Sequence, residues 1–287
     1  MKKFIEEYVQ IRDIVQYFLH FPKKSDTVVI FLHGGPGQSE AQLAYKSMAF
    51  QHDITFVYYD QRGAGKTQIM NKQKAKDITL KNMIEDLKYT IQYVKTKYEP
   101  KKLILLGHSW GSILGIEYAK KYPQTISALI GMGQVVDLMK GEKIGCQKCK
   151  EVAENRGKTK DVQKIEQIEK AIHIKDTKKV LKNLMKLRVL QSKYKLMGFR
   201  DGNIKMTSYF IKSPIFSFKD ISAFLTSRKV NENITKELIE YSTANFISYE
   251  VPIFFICGVN DWQVPSVLTD EYFNKISAPK KGIFFIS

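Results

Sequence analysis

Apolar residues along this chain fall into two kinds of run. The first is short, continuous and rich in β-branched residues: Thr27-Val28-Val29-Ile30-Phe31-Leu32, Ile54-Thr55-Phe56-Val57-Tyr58-Tyr59, Leu103-Ile104-Leu105-Leu106, Ala128-Leu129-Ile130-Gly131-Met132-Gly133 and Val251-Pro252-Ile253-Phe254-Phe255-Ile256-Cys257. Runs of this length without polar alternation suit strands covered on both faces, as in a parallel sheet. Lys280-Lys281-Gly282-Ile283-Phe284-Phe285-Ile286-Ser287 has the form of a last strand. The second kind is helical. Between Ser112 and Lys121, Ile113, Leu114, Ile116 and Ala119 recur at helical spacing before Pro123 closes the segment. From Val136 to Tyr249 the chain turns lysine-rich, with helical patterns such as Val180, Leu181, Leu184, Met185, Leu187, Val189 and Leu190 and breaks at Gly157 and Gly202. Its ends enter and leave one continuous sheet. The pattern therefore predicts an α/β core of residues 1–135 and 250–287, a mostly parallel sheet flanked by helices, with an inserted helical cap of residues 136–249.

Three of the strand-like runs end in turns that could carry chemistry. Leu103–Leu106 leads into Gly107-His108-Ser109-Trp110-Gly111, the Gly-x-Ser-x-Gly arrangement that sets a serine on a sharp strand-to-helix turn. The flanking glycines let strand and helix approach without a Cβ clash, and Ser109 becomes the candidate nucleophile. Thr27–Leu32 leads into His33-Gly34-Gly35-Pro36-Gly37, whose glycines leave backbone N–H groups uncovered, as an oxyanion hole requires. Ile54–Tyr59 leads into Asp60-Gln61-Arg62-Gly63-Ala64-Gly65, where the neighbouring acid and arginine read as structural, bracing a loop.

In that order and at those separations, the three motifs resemble the α/β-hydrolase family of prolyl aminopeptidases (proline iminopeptidases) and their close relatives. The resemblance covers the chain well from about Phe4 to Leu129 and resumes at Val251. It implies a serine hydrolase with its triad in the order Ser, Asp, His, no metal, no cofactor and a helical cap after the sixth strand. It also implies a cis bond at Gly35-Pro36. On this expectation Ser109 attacks a carbonyl carbon, and the N–H groups of Trp110 and Gly35 hold the oxyanion. Asp261, in the loop Gly258-Val259-Asn260-Asp261-Trp262 after an apolar strand, orients the base. Asp137 is the fallback acid, and Asp270, on a helical stretch, reads as solvated.

The base itself is missing from the expected place. The five histidines, His20, His33, His52, His108 and His173, all precede Asp261, whereas a hydrolase of this order carries its histidine after the final strand. The sequence reading therefore expects the C-terminal His loop and last helix to be absent from this chain, with His108 and His173 as less fitting substitutes.

Substrate is less constrained. The family recognises a charged imino terminus through cap glutamates and an aromatic-rich cap segment. Here the two tryptophans, Trp110 and Trp262, lie outside the cap, and Glu142, Glu151, Glu154, Glu166, Glu169 and Glu240 match no recognition segment. Removal of an N-terminal proline, hydrolysis of a small ester or lactone, and ligand binding without catalysis all stay open. Composition narrows the partners. A chain of 287 residues buries a full core as one domain with an insertion. No apolar run approaches the roughly 18 residues of a membrane span. Acids at Glu6 and Glu7 interrupt the amino terminus where a signal peptide is apolar, so a cytoplasmic protein is expected. The net charge of +17 comes mostly from dispersed lysines, since only six residues are arginine. This reads as a solvated surface, with a small molecule or short peptide as partner and neither nucleic acid nor membrane. Cys146 and Cys149 read as two thiols one helical turn apart, without the further ligands of a zinc site.

Overall fold

The computed structural model describes residues 4–46, 53–71, 77–172, 176–197 and 208–287. Eight strands form one sheet in the order β1-β2-β4-β3-β5-β6-β7-β8. They are β1 (Ile5–Ile11), β2 (Ile14–Phe21), β3 (Thr27–Leu32), β4 (Thr55–Tyr59), β5 (Lys102–His108), β6 (Ala128–Met132), β7 (Ile253–Gly258) and β8 (Lys281–Ile286). From β4 to β8 all neighbours are parallel, and β1 and β2 add an antiparallel edge. The β1–β2 hairpin is not legible in the apolar pattern, because Glu6, Glu7 and Gln10 break up the outer strand.

The central strands are apolar throughout because they are covered on both faces. Val28, Ile30 and Leu32 of β3 enter one core with Val57 and Tyr59 of β4. The alternate residues Val29, Phe31, Phe56 and Tyr58 enter a second core on the opposite face. Helices α1 (Gly65–Met70), α2 (Leu80–Tyr98) and α3 (Trp110–Lys121) follow in the chain, and Ile113, Leu114 and Ile116 of α3 pack into the first core. Each such side chain contributes roughly 1.5–3 kcal/mol on burial. Gly115 faces the sheet so closely that a Cβ there would lie 2.6 Å from Leu129 Cδ1.

Between β6 and β7 run α4 (Leu138–Asn155), α5 (Thr159–Ile172), α6 (Thr177–Lys193), α7 (Phe218–Val230) and α8 (Glu232–Ile239); α9 (Ser266–Lys275) separates β7 from β8. Helices α4 to α6 have a core of their own, built from Ile165, Ile168, Val180, Leu184, Leu187 and Leu190. Cys146 and Cys149 are buried in it as free thiols, burial pushing them up to about 12 and about 11 respectively. No described helix is long and apolar enough to cross a membrane.

Candidate active site

Ser109 stands between the last residue of β5 and the first of α3, with φ 51° and ψ −116°. That backbone is costly for any residue with a side chain, and the surroundings enforce it. The Ser109 N–H donates to Met132 O at 2.9 Å, and its carbonyl accepts from Ser112 N at 2.9 Å. A Cβ on Gly107 would meet the Gly111 carbonyl, and a Cβ on Gly111 would run into the Leu32 carbonyl of β3. Both positions are therefore closed to larger residues, and α3 comes up against the end of β3. Among the described residues the Ser109 hydroxyl has no hydrogen-bond partner.

The loop after β3 supplies the other face of the site. Gly35 has φ 118°, Gly37 has φ 86°, and the Gly35–Pro36 peptide bond is cis. Trp110 opens α3, and the first-turn amides of a helix have no acceptor within it. The two positions expected to bind an oxyanion thus lie on adjacent strand ends, β3 and β5 being paired through Leu32 and Gly107.

One residue from each motif loop enters a buried brace. The backbone N–H of Gln61 donates to His33 Nε2 at 3.0 Å, and Gln61 Nε2 donates to His33 O at 3.0 Å. Trp110 Nε1 donates to Gln61 Oε1 at 2.7 Å. With Nε2 accepting, His33 carries its proton on Nδ1 and gives it to Gly34 O at 2.7 Å. Burial lowers the His33 pKa, in keeping with this neutral form.

Asp60 and Arg62 flank Gln61 in the same loop, and both are buried. Asp60 accepts from Ser39 Oγ and from the Lys66 N–H, the latter at 2.6 Å, and burial pushes its pKa up to about 7. Arg62 forms two forked pairs, with buried Asp86 at 2.6 and 2.9 Å and with Asp13 at 2.6 and 3.0 Å. These tie the loop to α2 and to the β1–β2 turn.

Asp261 sits in the turn after β7. Its Oδ1 accepts the N–H groups of Gln263 and Val264, both at 3.0 Å. Its other oxygen has no protein partner among the described residues and can accept from an imidazole. Burial pushes its pKa up against those two donors, and the charges of His108 and Arg188 pull it down. β7 lies two strands from β5, roughly 10 Å away. The following residue is anchored to the inserted helices, Trp262 N donating to Leu196 O at 2.9 Å and Gln191 Nε2 donating to Trp262 O at 3.0 Å. Asp137 is occupied elsewhere, capping α4 through Lys140 N at 2.8 Å. Asp270 is half-buried on α9.

The described histidines each have a fixed role in the packing. His20 is fully buried in β2, with Nδ1 on the Tyr98 hydroxyl at 2.9 Å. His108 Nδ1 pairs with Glu40 Oε1 at 2.7 Å. Burial lowers the His108 pKa, but the carboxylates of Glu40 and Asp261 offset this and hold it above its ordinary value. Burial pushes Glu40 up, yet the His108 charge and hydrogen bond leave it low. A Cβ on Gly34 would stand 3.1 Å from Glu40 Oε1 and 3.2 Å from His108 Nδ1, a tight fit that the ion pair would have to shift to accommodate. His52 and His173 lie outside the described residues. Sequence alone singles out neither Gln61 nor Glu40; membership of the Asp60–Gly63 loop is the one available signal for Gln61.

Of the cap glutamates, Glu142 pairs with Arg188, Glu151 with Lys148, and Glu154 and Glu166 with Lys150. No group of three or more His, Cys, Asp or Glu side chains among the described residues is arranged to hold a metal ion.

Residues 23–190 match the family of serine aminopeptidases, S33. The chain belongs to that family. Within it, the chain is 24% identical over 261 residues to the probable aminopeptidase YbaC of Bacillus subtilis, covering 90% of this chain and 80% of that protein. It is 34% identical over 126 residues to a proline iminopeptidase of Saccharolobus solfataricus, covering 44% of this chain and 39% of that one. The match to that proline iminopeptidase thus spans about two fifths of its length. A proline iminopeptidase-related protein of Thermus thermophilus superimposes with a TM-score of 0.63 at 17% identity, over 98% of this chain and 89% of that chain. This S33 member is an α/β-hydrolase of the prolyl aminopeptidase type, with a mostly parallel eight-stranded sheet.

Proposed function

We propose that this chain is a serine hydrolase that removes an N-terminal residue, proline in the first instance, from a short peptide through an acyl-enzyme. The observation that carries the proposal is the backbone of Ser109. It is held at φ 51° between two glycines that admit no Cβ, which sets its half-buried side chain on a strand-to-helix turn. In this reading Ser109 Oγ attacks the carbonyl carbon, and the oxyanion forms against the N–H groups of Trp110 and Gly35. Loss of one such donor typically costs about 100- to 1,000-fold in rate. The amine leaves with a proton, and water then hydrolyses the ester to Ser109.

Asp261 is the acid in this proposal, because one oxygen is held by two amides while the other has no hydrogen-bond partner among the described residues. The base is proposed to be a histidine, and no described histidine is free for that part. Ile286 pairs with Gly258, three residues before Asp261, so the end of β8 lies beside the loop that carries the acid. Residues 136–249 form the cap over a core of residues 1–135 and 250–287, and through Trp262 the cap helices help fix the acid loop. The site is proposed to work on a small cytoplasmic substrate without metal or cofactor.

Proline p-nitroanilide and short p-nitrophenyl esters, assayed side by side with the Ser109→Ala variant as control, test this. Release from the prolyl anilide that requires Ser109 supports the peptidase. Ester turnover without anilide release transfers the site to carboxylic ester or lactone hydrolysis, and neither activity overturns catalysis by Ser109 altogether.

A further inference from the structure

Helix α7 is built inside out. Its inward face carries Asp220, Ala223 and Ser227, all buried, while Phe218, Ile221, Phe224 and Leu225 face outward at 85%, 44%, 58% and 73% exposure. A surface helix of a globular protein normally shows the reverse arrangement. The orientation is not left to chance. Ser217 and Asp220 form a capping box at the start, Gln68 Nε2 donates to Thr226 Oγ1 at 2.6 Å, and past the helix end Asn231 Nδ2 donates to Gly63 O at 2.8 Å. The polar face is thereby fixed against α1 and the Asp60–Gly63 loop, and the apolar face is fixed toward solvent. The patch extends beyond the helix. The Phe218 ring stacks edge-on to Phe216 at 6.0 Å, Phe216 likewise to Phe210 at 6.0 Å, and Ile211 is 56% exposed. Single exposed apolar residues are ordinary, but a contiguous group on one helix face calls for something that covers it.

We infer that this face docks on an anionic phospholipid bilayer. Charge selects that occupant. Lys212, Lys219 and Lys229 are exposed along the same segment, and its one acid, Asp220, points inward. The outer surface therefore offers apolar and cationic groups and no carboxylate, on a chain whose net charge is +17. That pairing fits an interface in which rings enter the headgroup–acyl boundary and lysine stems reach up to phosphates. A second copy of this chain would set lysine against lysine, which like-charge repulsion opposes. The contact is peripheral, since no described helix is fit to cross the bilayer. It revises the reading of the dispersed lysines as mere solvated surface, and it stands or falls independently of the chemistry at Ser109.

Co-sedimentation with vesicles tests the inference, comparing phosphatidylglycerol mixed equally with phosphatidylcholine against phosphatidylcholine alone. The chain is expected to pellet with the anionic vesicles at low salt and to be released as salt is raised. Phe218→Ser and Leu225→Ser should each weaken partitioning on the order of tenfold. The pair Lys219→Glu and Lys229→Glu should weaken it further and flatten the salt dependence. All these positions are exposed, and circular dichroism with a thermal melt confirms that each variant is folded. In Leu225→Trp, emission should shift to the blue on adding anionic vesicles. Equal binding to both vesicle types, binding unchanged in the folded serine variants, or no binding at all would overturn the proposal. So would a concentration-dependent dimer, or a complex with a soluble acidic protein, that Phe218→Ser abolishes while vesicles leave the chain in solution.

Discussion

Trp110 and Gln61, one from the Gly107–Gly111 turn and one from the loop after β4, are joined by a buried hydrogen bond of 2.7 Å. Gln61 then passes the connection to His33, so that the three motif loops hold one another in place. Replacing Gln61 by leucine keeps its volume and deletes both side-chain bonds, leaving the Trp110 indole N–H and the His33 carbonyl unpaired. Each stranded group costs about 1–3 kcal/mol. Gln61→Leu is expected to lower unfolding free energy by about 2–4 kcal/mol in urea titrations, with an unchanged m-value.

Ser109 itself should be a stability liability. A residue with a Cβ at φ 51°, ψ −116° carries on the order of 1–3 kcal/mol of strain, which glycine relieves. Glycine also gains about 0.4–1 kcal/mol of unfolded-state entropy, which offsets part of that relief. Ser109→Gly is therefore expected to be about 1 kcal/mol more stable than Ser109→Ala by the same measurement. Equal stabilities would show that the turn is not strained.

Much of this arrangement is legible in the sequence. The β-branched runs of β3, β4 and β5 are continuous because both faces are covered, and the turns that follow them are spelled out by glycines whose Cβ atoms would collide. Other features leave no such trace. The β1–β2 hairpin lies at a half-solvated edge where polar residues are permitted. Glu40 meets His108 only through tertiary folding, 68 residues away along the chain. The outward apolar face of α7 has helical spacing like any core-facing stripe, and periodicity does not say which way a stripe points.

Acid sensitivity should trace in part to His20. Its side chain is fully buried beside Phe18, and burial lowers its pKa to about 4, with Lys97 adding to the shift and Glu7 opposing it. The folded state thus keeps His20 neutral, while the unfolded chain protonates it below about 6.5. Stability from this group is complete above that pH and is lost as pH falls from about 6.5 toward 4, by about 3 kcal/mol. His20→Gln should flatten the decline over that window, leaving the slope that comes from His33, which burial shifts in the same direction. An unaltered profile would mean that His20 titrates normally in the native protein.

The last prediction concerns the base. His33 has its Nε2 committed to the Gln61 amide, and His20 is sealed within β2. His108 is tied to Glu40 by one nitrogen and held toward its cationic form, which is the wrong protonation state for taking a proton from Ser109. No described imidazole is therefore free for the task, whereas the unused oxygen of Asp261 lies where β8 delivers the chain. Loss of the base from such a triad lowers turnover on the order of a million-fold, or about 8 kcal/mol of transition-state stabilisation. His108→Asn should consequently leave the rate at which a fluorophosphonate labels Ser109 nearly unchanged. Asp261→Asn, which removes the carboxylate proposed to orient the base, should slow that labelling. Rapid labelling of the 287-residue chain that disappears in His108→Asn would instead make His108 the base, with Glu40 as its acid.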